Sequence, residues 1–353
     1  MSQAESPKSA RPSMVSRFLT VIEKVGNTLP NPATLFAIFA LGLIVLSWVF
    51  SKLGLSAVNP QDGAAVETVN LVSQKGLHWI FENTISNFTG FAPLGTVLVA
   101  MLGIGVAESS GLIGTALRQL VHAAPRRLLT FVIVLAGVMS NMASDVGYVL
   151  LVPMGALIFL SVGRHPLAGL AAAFAGVSGG FSANLLLGTI DPLLAGISEE
   201  AARIVDPDYV VSPACNYYFM VVSTFLVAAV GTWVTEKVIV PRLGAWEGEA
   251  ATTDETIEKL APEEKRGLWW ALAVSVVLFV LVLIGLVPED GILREIGTGS
   301  VLHSPFMHGI VSFIFVAGLL SGLAYGIAAG TFKSDSDVVK GMKQGMESLA
   351  LFM

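Results

Sequence analysis

The sequence has a single cysteine and few charged residues among its 353 positions. One cysteine, Cys215, excludes an internal disulfide and a metal site built from cysteines, and we interpret it as a small apolar residue within a helix. Charged residues make up 13% of the chain, roughly half the share found in soluble domains. Together with a hydrophobic content of 54%, this composition predicts an integral membrane protein.

Other absences exclude further classes of function. The net charge is −6, and no basic stripe with interleaved aromatic residues occurs, so we expect no nucleic-acid partner. The five histidines never pair at a spacing of four residues, which argues against a zinc site. No Walker A, GxSxG or dinucleotide fingerprint occurs in a suitable context, so the sequence predicts neither ATP-driven transport nor a catalytic residue.

Apolar runs of about 20 residues are long enough to cross a hydrocarbon core of roughly 30 Å. They predict an all-α polytopic fold in which residues 54–77 form a polar connector, residues 78–90 an interfacial segment and residues 118–127 a basic turn. The chain then divides into a cytoplasmic tail with an interfacial helix (1–31), two spans with a periplasmic connector (32–127), a re-entrant hairpin (128–163), a broken transmembrane helix (164–198), three further spans (199–331) and the start of a next segment (332–353).

The hairpin is predicted from arm length and from charge. Residues 128–160 are apolar but are interrupted near residue 142, and each arm of about 12 to 16 residues reaches only about 18 to 24 Å. Basic residues flank both ends, which places both ends on one side of the membrane. With this hairpin, all but four of the 20 Lys and Arg residues fall on one side, which favours a cytoplasmic N-terminus.

The hairpin tip contains Ser140, Asn141 and Ser144, whose side-chain oxygens are suited to a small hard cation such as Na⁺. Alternatively, these residues only cap the two half-helices. The broken helix is interrupted at residues 179–184, where Gly180, Ser182 and Asn184 bring carbonyl groups and helix N-termini close to an anionic ligand. The alternative is that the glycines only permit tight helix crossing.

Two carboxylates follow the breaks. Asp145 lies just beyond the first tip and Asp191 lies beyond the second break, both in apolar surroundings where a charge is costly. Each is a candidate for binding a cation or a proton, and Asp191 is the stronger candidate. Asp145 could instead complement the dipole of its own half-helix.

Several segments resemble the AbgT family of bacterial inner-membrane transporters. They are NTLPNPATLF, NFTGFAPLGTVL, SNMASDVGYVLLVP, GRHPLAGLAAAFAGVSGGFSANLLLGTIDPLLAGIS and VPEDGILR, and the resemblance extends from about residue 16 to the end of the chain. The family acid of GTIDPLL corresponds to Asp191, and the glycine and asparagine of GGFSANLL correspond to Gly180 and Asn184. The tip also resembles the Ser-Asn-Thr tips of dicarboxylate transporters, with Met142 in place of the threonine.

The resemblance implies an inverted-repeat secondary transporter that forms a homodimer. Because family members continue beyond the position of Met353, we expect the second repeat to be incomplete in this chain. The implied function is cation-coupled transport of p-aminobenzoyl-glutamate or related folate catabolites, with no cofactor other than Na⁺ as the coupling ion. The alternative within transport is proton-driven export of sulfonamide antimetabolites.

The predicted site therefore combines a substrate and a cation. We expect an aromatic amide of glutamate, or a sulfonamide, to contact Ser140, Asn141, Ser182, Asn184 and Asp191. We expect Na⁺ to bind at Asn141, Asp145, Gly180 and Asn184. The sequence leaves two other classes open, a passive channel and an intramembrane hydrolase that uses Asp145 and Asp191 as an acid pair.

Overall fold

The computed structural model describes residues 32–91, 93–142, 147–246, 248, 260–301 and 304–349, together with residues 21, 24, 26, 28 and 30. The predicted N-terminal tail, Ser144, Asp145 and residues 249–259 of the predicted charged loop lie outside the described part. Of the predicted interfacial helix over 16–29, the described residues 21, 24, 26 and 28 are helical.

The described residues are mostly helical, which confirms the predicted all-α polytopic class. The helices are α1 (Pro32–Lys52), α2 (Gln74–Thr89), α3 (Pro93–Ser109), α4 (Leu112–His122), α5 (Leu129–Met139), α6 (Val152–Ser161), α7 (Pro166–Gly179), α8 (Ile190–Arg203), α9 (Tyr217–Val234), α10 (Val240–Leu243), α11 (Pro262–Leu286), α12 (Pro305–His308), α13 (Ile310–Ala329) and α14 (Asp335–Leu349). Two π-helical turns, Gly147–Leu151 and Thr235–Ile239, and two 3₁₀ turns, Arg126–Leu128 and Ser140–Met142, adjoin α5, α6 and α9.

Five helical stretches in the described part are long and apolar enough to cross a membrane, so the protein is a multi-pass membrane protein. They are Ala33–Lys52, Gln74–Ser109, Tyr217–Leu243, Pro262–Leu286 and Ile310–Ala329. A further pair, Leu112–His122 and Arg126–Met142, is bent by 112°. The apolar helices Gly147–Ser161 and Pro166–Gly179 are shorter than a full span.

The first compact unit extends to Ile85 and contains a feature that the sequence interpretation missed. The predicted polar connector folds as an antiparallel β-hairpin, in which β1 (Ser56–Val58) pairs with β2 (Ala65–Glu67). Asn59 Oδ1 accepts the Gln61 N–H at 3.0 Å, and Asp62 Oδ1 accepts the Ala64 N–H at 2.9 Å. These side chains stabilise the turn between the strands locally.

Helix α2 covers residues 78–89 of the predicted interfacial segment, whose place at the membrane interface stays a prediction. The predicted basic turn needs correction. Residues 118–122 belong to helix α4 rather than to a turn. At the start of that helix, the Ser110 hydroxyl accepts the Leu112 N–H at 3.2 Å. The turn is confined to the residues between α4 and α5.

The second compact unit begins at Ser86 and contains helix α3. The backbone of α3 packs closely against α13 and α14, and α8 also contacts it. A Cβ atom on Gly105 would lie 2.7 Å from the Gly345 Cα atom of α14. The glycines of this span therefore permit close helix packing.

Helices α5 and α6 form the predicted re-entrant hairpin, and both pack against α7. Val134 of α5 contacts Gly176 of α7, and Val138 contacts Gly180, so α5 and α7 run in the same direction. The returning arm runs in the opposite direction, because Gly155 contacts Gly169 near the start of α7.

The base of the hairpin is held by an ionic cluster. Arg164, which follows the returning arm, donates to both carboxylate oxygens of Glu236 at 2.7 Å. It also donates to the Thr130 hydroxyl of the entering arm at 3.0 Å, and its guanidinium lies 4.3 Å from the centre of the Phe159 ring. The entry and exit of the hairpin therefore meet at one end, and the π-helical turn after α9 holds them there.

We expect this ion pair to stabilise the hairpin measurably. In a double-mutant cycle of Arg164→Gln and Glu236→Gln, the coupling free energy should be about 1 kcal/mol, at the upper end for partly exposed pairs, because one guanidinium nitrogen donates to both carboxylate oxygens. The free energy of unfolding in sodium dodecyl sulfate measures it. The control cycle is Lys343→Gln with Glu347→Gln, an exposed pair at 3.3 Å, whose coupling should be smaller. Equal coupling in the two cycles would contradict this role.

Candidate functional site

The two interrupted segments meet at their breaks. The first break is the tip that follows α5, and the second is the non-helical stretch of residues 180–189 between α7 and α8. Within this stretch Ser182 has a left-handed backbone with φ of 64°, which is uncommon for a residue with a side chain. Two half-helices that run in the same direction, α5 and α7, thus end side by side.

Two asparagines hold the ends of these half-helices together. The Asn141 Nδ2 group donates to the Val138 carbonyl at the end of α5 and to the Val177 carbonyl of α7, each at 3.1 Å. The Asn184 Nδ2 group donates in the opposite direction, to the Met139 carbonyl of α5 at 3.3 Å. Each break therefore caps the carbonyl end of the other segment.

Both the nitrogen and the oxygen of the Asn184 side-chain amide form capping hydrogen bonds. Its Oδ1 atom accepts the N–H groups of Leu185 at 2.9 Å and Leu186 at 3.2 Å, and only 4% of the residue is exposed. For Asn184 the observed contacts are those of a cap. By contrast, no hydrogen bond from the described residues reaches Asn141 Oδ1. This oxygen remains suitable for a ligand.

Asp191 lies in the first turn of α8, where a carboxylate complements the positive end of the helix dipole. Its Oδ2 atom accepts the Gly188 N–H at 2.7 Å. Gly188 is also close to the first tip, since a Cβ atom there would lie 3.8 Å from the Met142 Cα atom. The structure therefore brings Asp191, the second break and the first tip to one place.

The other predicted residues occupy different positions. Ser140 is fully buried, and its hydroxyl donates to the Gly137 carbonyl at 2.7 Å, so it lies behind the tip. Gly180 is buried against Val138, and its carbonyl accepts the Ala183 N–H at 2.9 Å. Ser182 is half-buried, and Asp145 lies outside the described residues. The ligand roles of all four stay predictions.

Close packing at the tip gives a test of the hairpin geometry. A Cβ atom on Gly147 would overlap the Ser140 hydroxyl and lie 2.9 Å from the Ser140 Cβ atom. We expect Gly147→Ala to lower the free energy of unfolding by about 1 to 3 kcal/mol, as measured by unfolding in sodium dodecyl sulfate. A second change, Ser140→Gly, should restore part of the loss because it removes the overlapping atoms.

The matched control for this test is Gly179→Ala, since no heavy atom of the described residues lies within 4 Å of a Cβ at that position. That substitution should leave stability almost unchanged. If Gly147→Ala and Gly179→Ala change the free energy of unfolding equally, the two arms of the hairpin are not in close contact at Gly147.

Sequence reasoning missed two tyrosines and misjudged the cysteine. Tyr217 donates from its hydroxyl to the Leu185 carbonyl in the second break at 3.0 Å, and Tyr148 pairs with Ser178 beside the first tip. Phenolic hydroxyl groups next to interrupted apolar segments were the available signal.

Cys215 is exposed in the turn that precedes α9, where its N–H donates to the Ser212 carbonyl at 3.0 Å. Its interpretation as a helical residue is wrong.

The sequence is similar to known transporters along its whole length. The model of the AbgT transporter family matches residues 17–353. The p-aminobenzoyl-glutamate transport protein of Escherichia coli strain K12 is 40% identical over 353 residues, which are 100% of this chain and 68% of that protein.

Two solved structures are also similar. The YdaH transporter of Alcanivorax borkumensis superposes with a TM-score of 0.81 at 40% identity, over 92% of this chain and 67% of that one. MtrF of Neisseria gonorrhoeae, described within a class of antimetabolite efflux pumps, superposes with a TM-score of 0.83 at 48% identity, over 95% of this chain and 69% of that one.

Proposed function

Because the chain belongs to the AbgT transporter family, we propose that it is a cation-coupled secondary transporter of p-aminobenzoyl-glutamate or related folate catabolites. Membership confirms the predicted resemblance and the prediction of a transporter rather than an enzyme. It leaves no support for the intramembrane hydrolase. The proposal is supported by one observation: two broken segments lie side by side at their breaks. Asn141 and Asn184 join the breaks, and Asp191 lies close to them.

The depth of this site supports transport. Helix α5 has 11 residues and rises about 16 Å, roughly half of a hydrocarbon core of about 30 Å. Irregular backbone at that depth requires surrounding protein or a water-filled cavity. Binding near the middle of the membrane is what alternating access requires of a secondary transporter.

The residues divide into two groups in this proposal. Na⁺ binds at Asn141 Oδ1 and at Asp191 Oδ1. The other carboxylate oxygen of Asp191, Oδ2, accepts the Gly188 N–H. The glutamate carboxylates of the substrate bind near Ser182 and the N-terminus of α8, where backbone N–H groups favour an anion. Asn184 holds the two breaks together while both ligands bind.

The cellular arrangement is also proposed. The charge distribution favours a cytoplasmic N-terminus in a bacterial inner membrane. The exposed apolar side chains of α1, such as Phe36 at 65% exposure, are suited to lipid or to a second copy in a homodimer.

A second candidate function is proton-driven export of sulfonamide antimetabolites through the same residues. The observation that favours it is the structural similarity to MtrF. In this alternative Asp191 carries a proton instead of coordinating Na⁺.

The test is uptake into liposomes that contain the purified chain, with labelled p-aminobenzoyl-glutamate and an imposed gradient of either Na⁺ or protons. We expect accumulation against the substrate gradient with the Na⁺ gradient only. Accumulation of sulfonamide with the proton gradient would favour the second candidate. Flux that only follows the substrate's own gradient would indicate a passive channel and overturn both.

A further inference from the structure

Two aromatic side chains stand beside the breaks and take no part in the contacts that join them. Tyr148 lies in the π-helical turn after the tip, and Phe174 lies on α7. Their rings meet edge to face, with centroids 5.9 Å apart and planes at 62°. Tyr148 is 41% exposed and Phe174 is 50% exposed, so a large part of each ring is accessible.

A hydroxyl pair fixes the position of Tyr148 relative to the site. The Tyr148 hydroxyl lies 3.1 Å from the Ser178 hydroxyl, and Ser178 directly follows Val177, whose carbonyl binds Asn141. The Tyr148 hydroxyl therefore lies against the residue of α7 that follows the contact between the two breaks. π-helical turns occur frequently at functional sites, and this turn places Tyr148 against α7.

The depth of this pair argues against contact with lipid tails. Ser178 lies 12 residues beyond Pro166, which corresponds to about 18 Å of helix and therefore to the middle of the membrane. Exposed polar groups at that depth face protein or a water-filled cavity. Two accessible hydroxyl groups side by side therefore favour protein or a water-filled cavity, rather than lipid tails, beside this face of α7.

The end of α7 that follows Ser178 is also open. No heavy atom of the described residues lies within 4 Å of a Cβ built on Gly179, the residue that follows Ser178. Phe181, at 63% exposure, follows on the second break. The described residues therefore leave the end of α7 uncovered next to Ser178, with an exposed aromatic ring at Phe181 two residues beyond Gly179.

We propose that Tyr148 and Phe174 form the subsite that binds the aromatic ring of the substrate. This inference rests on the proposed function, in which the substrate is an aromatic amide of glutamate. The ring packs against the accessible faces of Tyr148 and Phe174, while the glutamate carboxylates reach the N-terminus of α8. The pair then determines specificity for aromatic over aliphatic amides, because aromatic groups pack favourably in offset or edge-to-face contacts.

The experiment compares binding of two ligands to the purified chain in lipid nanodiscs by calorimetry. One ligand is p-aminobenzoyl-glutamate, and the other is N-hexanoyl-glutamate, an aliphatic amide with the same carboxylates. We expect Tyr148→Leu and Phe174→Leu each to lower the affinity for the aromatic ligand about tenfold. Each should lower the affinity for the aliphatic ligand less than about twofold. Tyr148→Phe retains the ring and should weaken the aromatic ligand less than about threefold.

The control is Phe279→Leu, an equally apolar change at a residue of α11 that is 63% exposed, which should alter neither affinity. If the wild-type chain binds the aromatic ligand and the two leucine variants weaken both ligands equally or not at all, the subsite is wrong and the proposed function stands. If the wild-type chain binds neither ligand, both proposals fail. Should Tyr148→Leu not fold, Phe174→Leu makes the same comparison.

Discussion

Asp191→Asn should strongly weaken cation-coupled accumulation of substrate while leaving the fold intact. Asparagine retains an oxygen that can accept the Gly188 N–H, which Asp191 accepts at 2.7 Å, so the start of α8 should keep its conformation. Only the negative charge is lost. A charge near a bound cation contributes several kcal/mol at an effective dielectric constant of about 20, so we expect the apparent Na⁺ affinity to fall about a hundredfold.

Uptake into liposomes as a function of Na⁺ concentration measures this effect, and thermal unfolding of the same sample checks the fold. The control variant is Asp290→Asn, which removes an equal charge from an exposed residue in the loop after α11 and should leave uptake unchanged. Coupled flux that survives Asp191→Asn at the wild-type Na⁺ affinity would remove the role proposed for this residue.

Asn184→Leu should cause the largest loss of stability among the residues of the two breaks. The side chain makes three hydrogen bonds, to the Met139 carbonyl and from the N–H groups of Leu185 and Leu186. It is almost fully buried, so leucine would leave these backbone groups without a partner. At about 1 kcal/mol or more for each group, the free energy of unfolding in sodium dodecyl sulfate should fall by about 3 kcal/mol.

Asn184→Asp separates the contributions of the amide. Aspartate can still accept both N–H groups, but it turns an oxygen toward the Met139 carbonyl and buries a charge, so a substantial loss is expected although two hydrogen bonds remain. The comparison also distinguishes a cap from an ion ligand. If Asn184→Leu leaves stability unchanged and only lowers the Na⁺ affinity, the cap interpretation of this residue is wrong.

The hairpin could be predicted because its determinants are local and general. Arm length against membrane thickness, and basic residues such as Arg127 and Arg164 at both flanks, require the chain to return to the side it entered. The β-hairpin in the connector was missed because its strands have three residues each. Its turn is stabilised by side-chain contacts of Asn59 and Asp62 that hydropathy does not detect.

The candidate site could be predicted only in part. The interruptions marked Asn141, Asn184 and Asp191 as unusual in apolar segments, and the structure brings these three residues together. Their roles differ for a reason that the sequence does not contain. Whether an asparagine oxygen is available for a ligand depends on which backbone groups of another segment lie within hydrogen-bond distance.

By itself the sequence determined that this is a multi-pass helical membrane protein with two broken apolar segments, because hydrophobicity, segment length and flanking charge act along the chain. Only the tertiary structure decided that each break caps the other, that Ser140 lies behind the tip and that Tyr148 stands next to Phe174. These relations depend on the parallel packing of α5 and α7 and on the close approach of Gly147 to Ser140. Contacts between segments 30 to 45 residues apart arise from packing geometry, which no local pattern specifies.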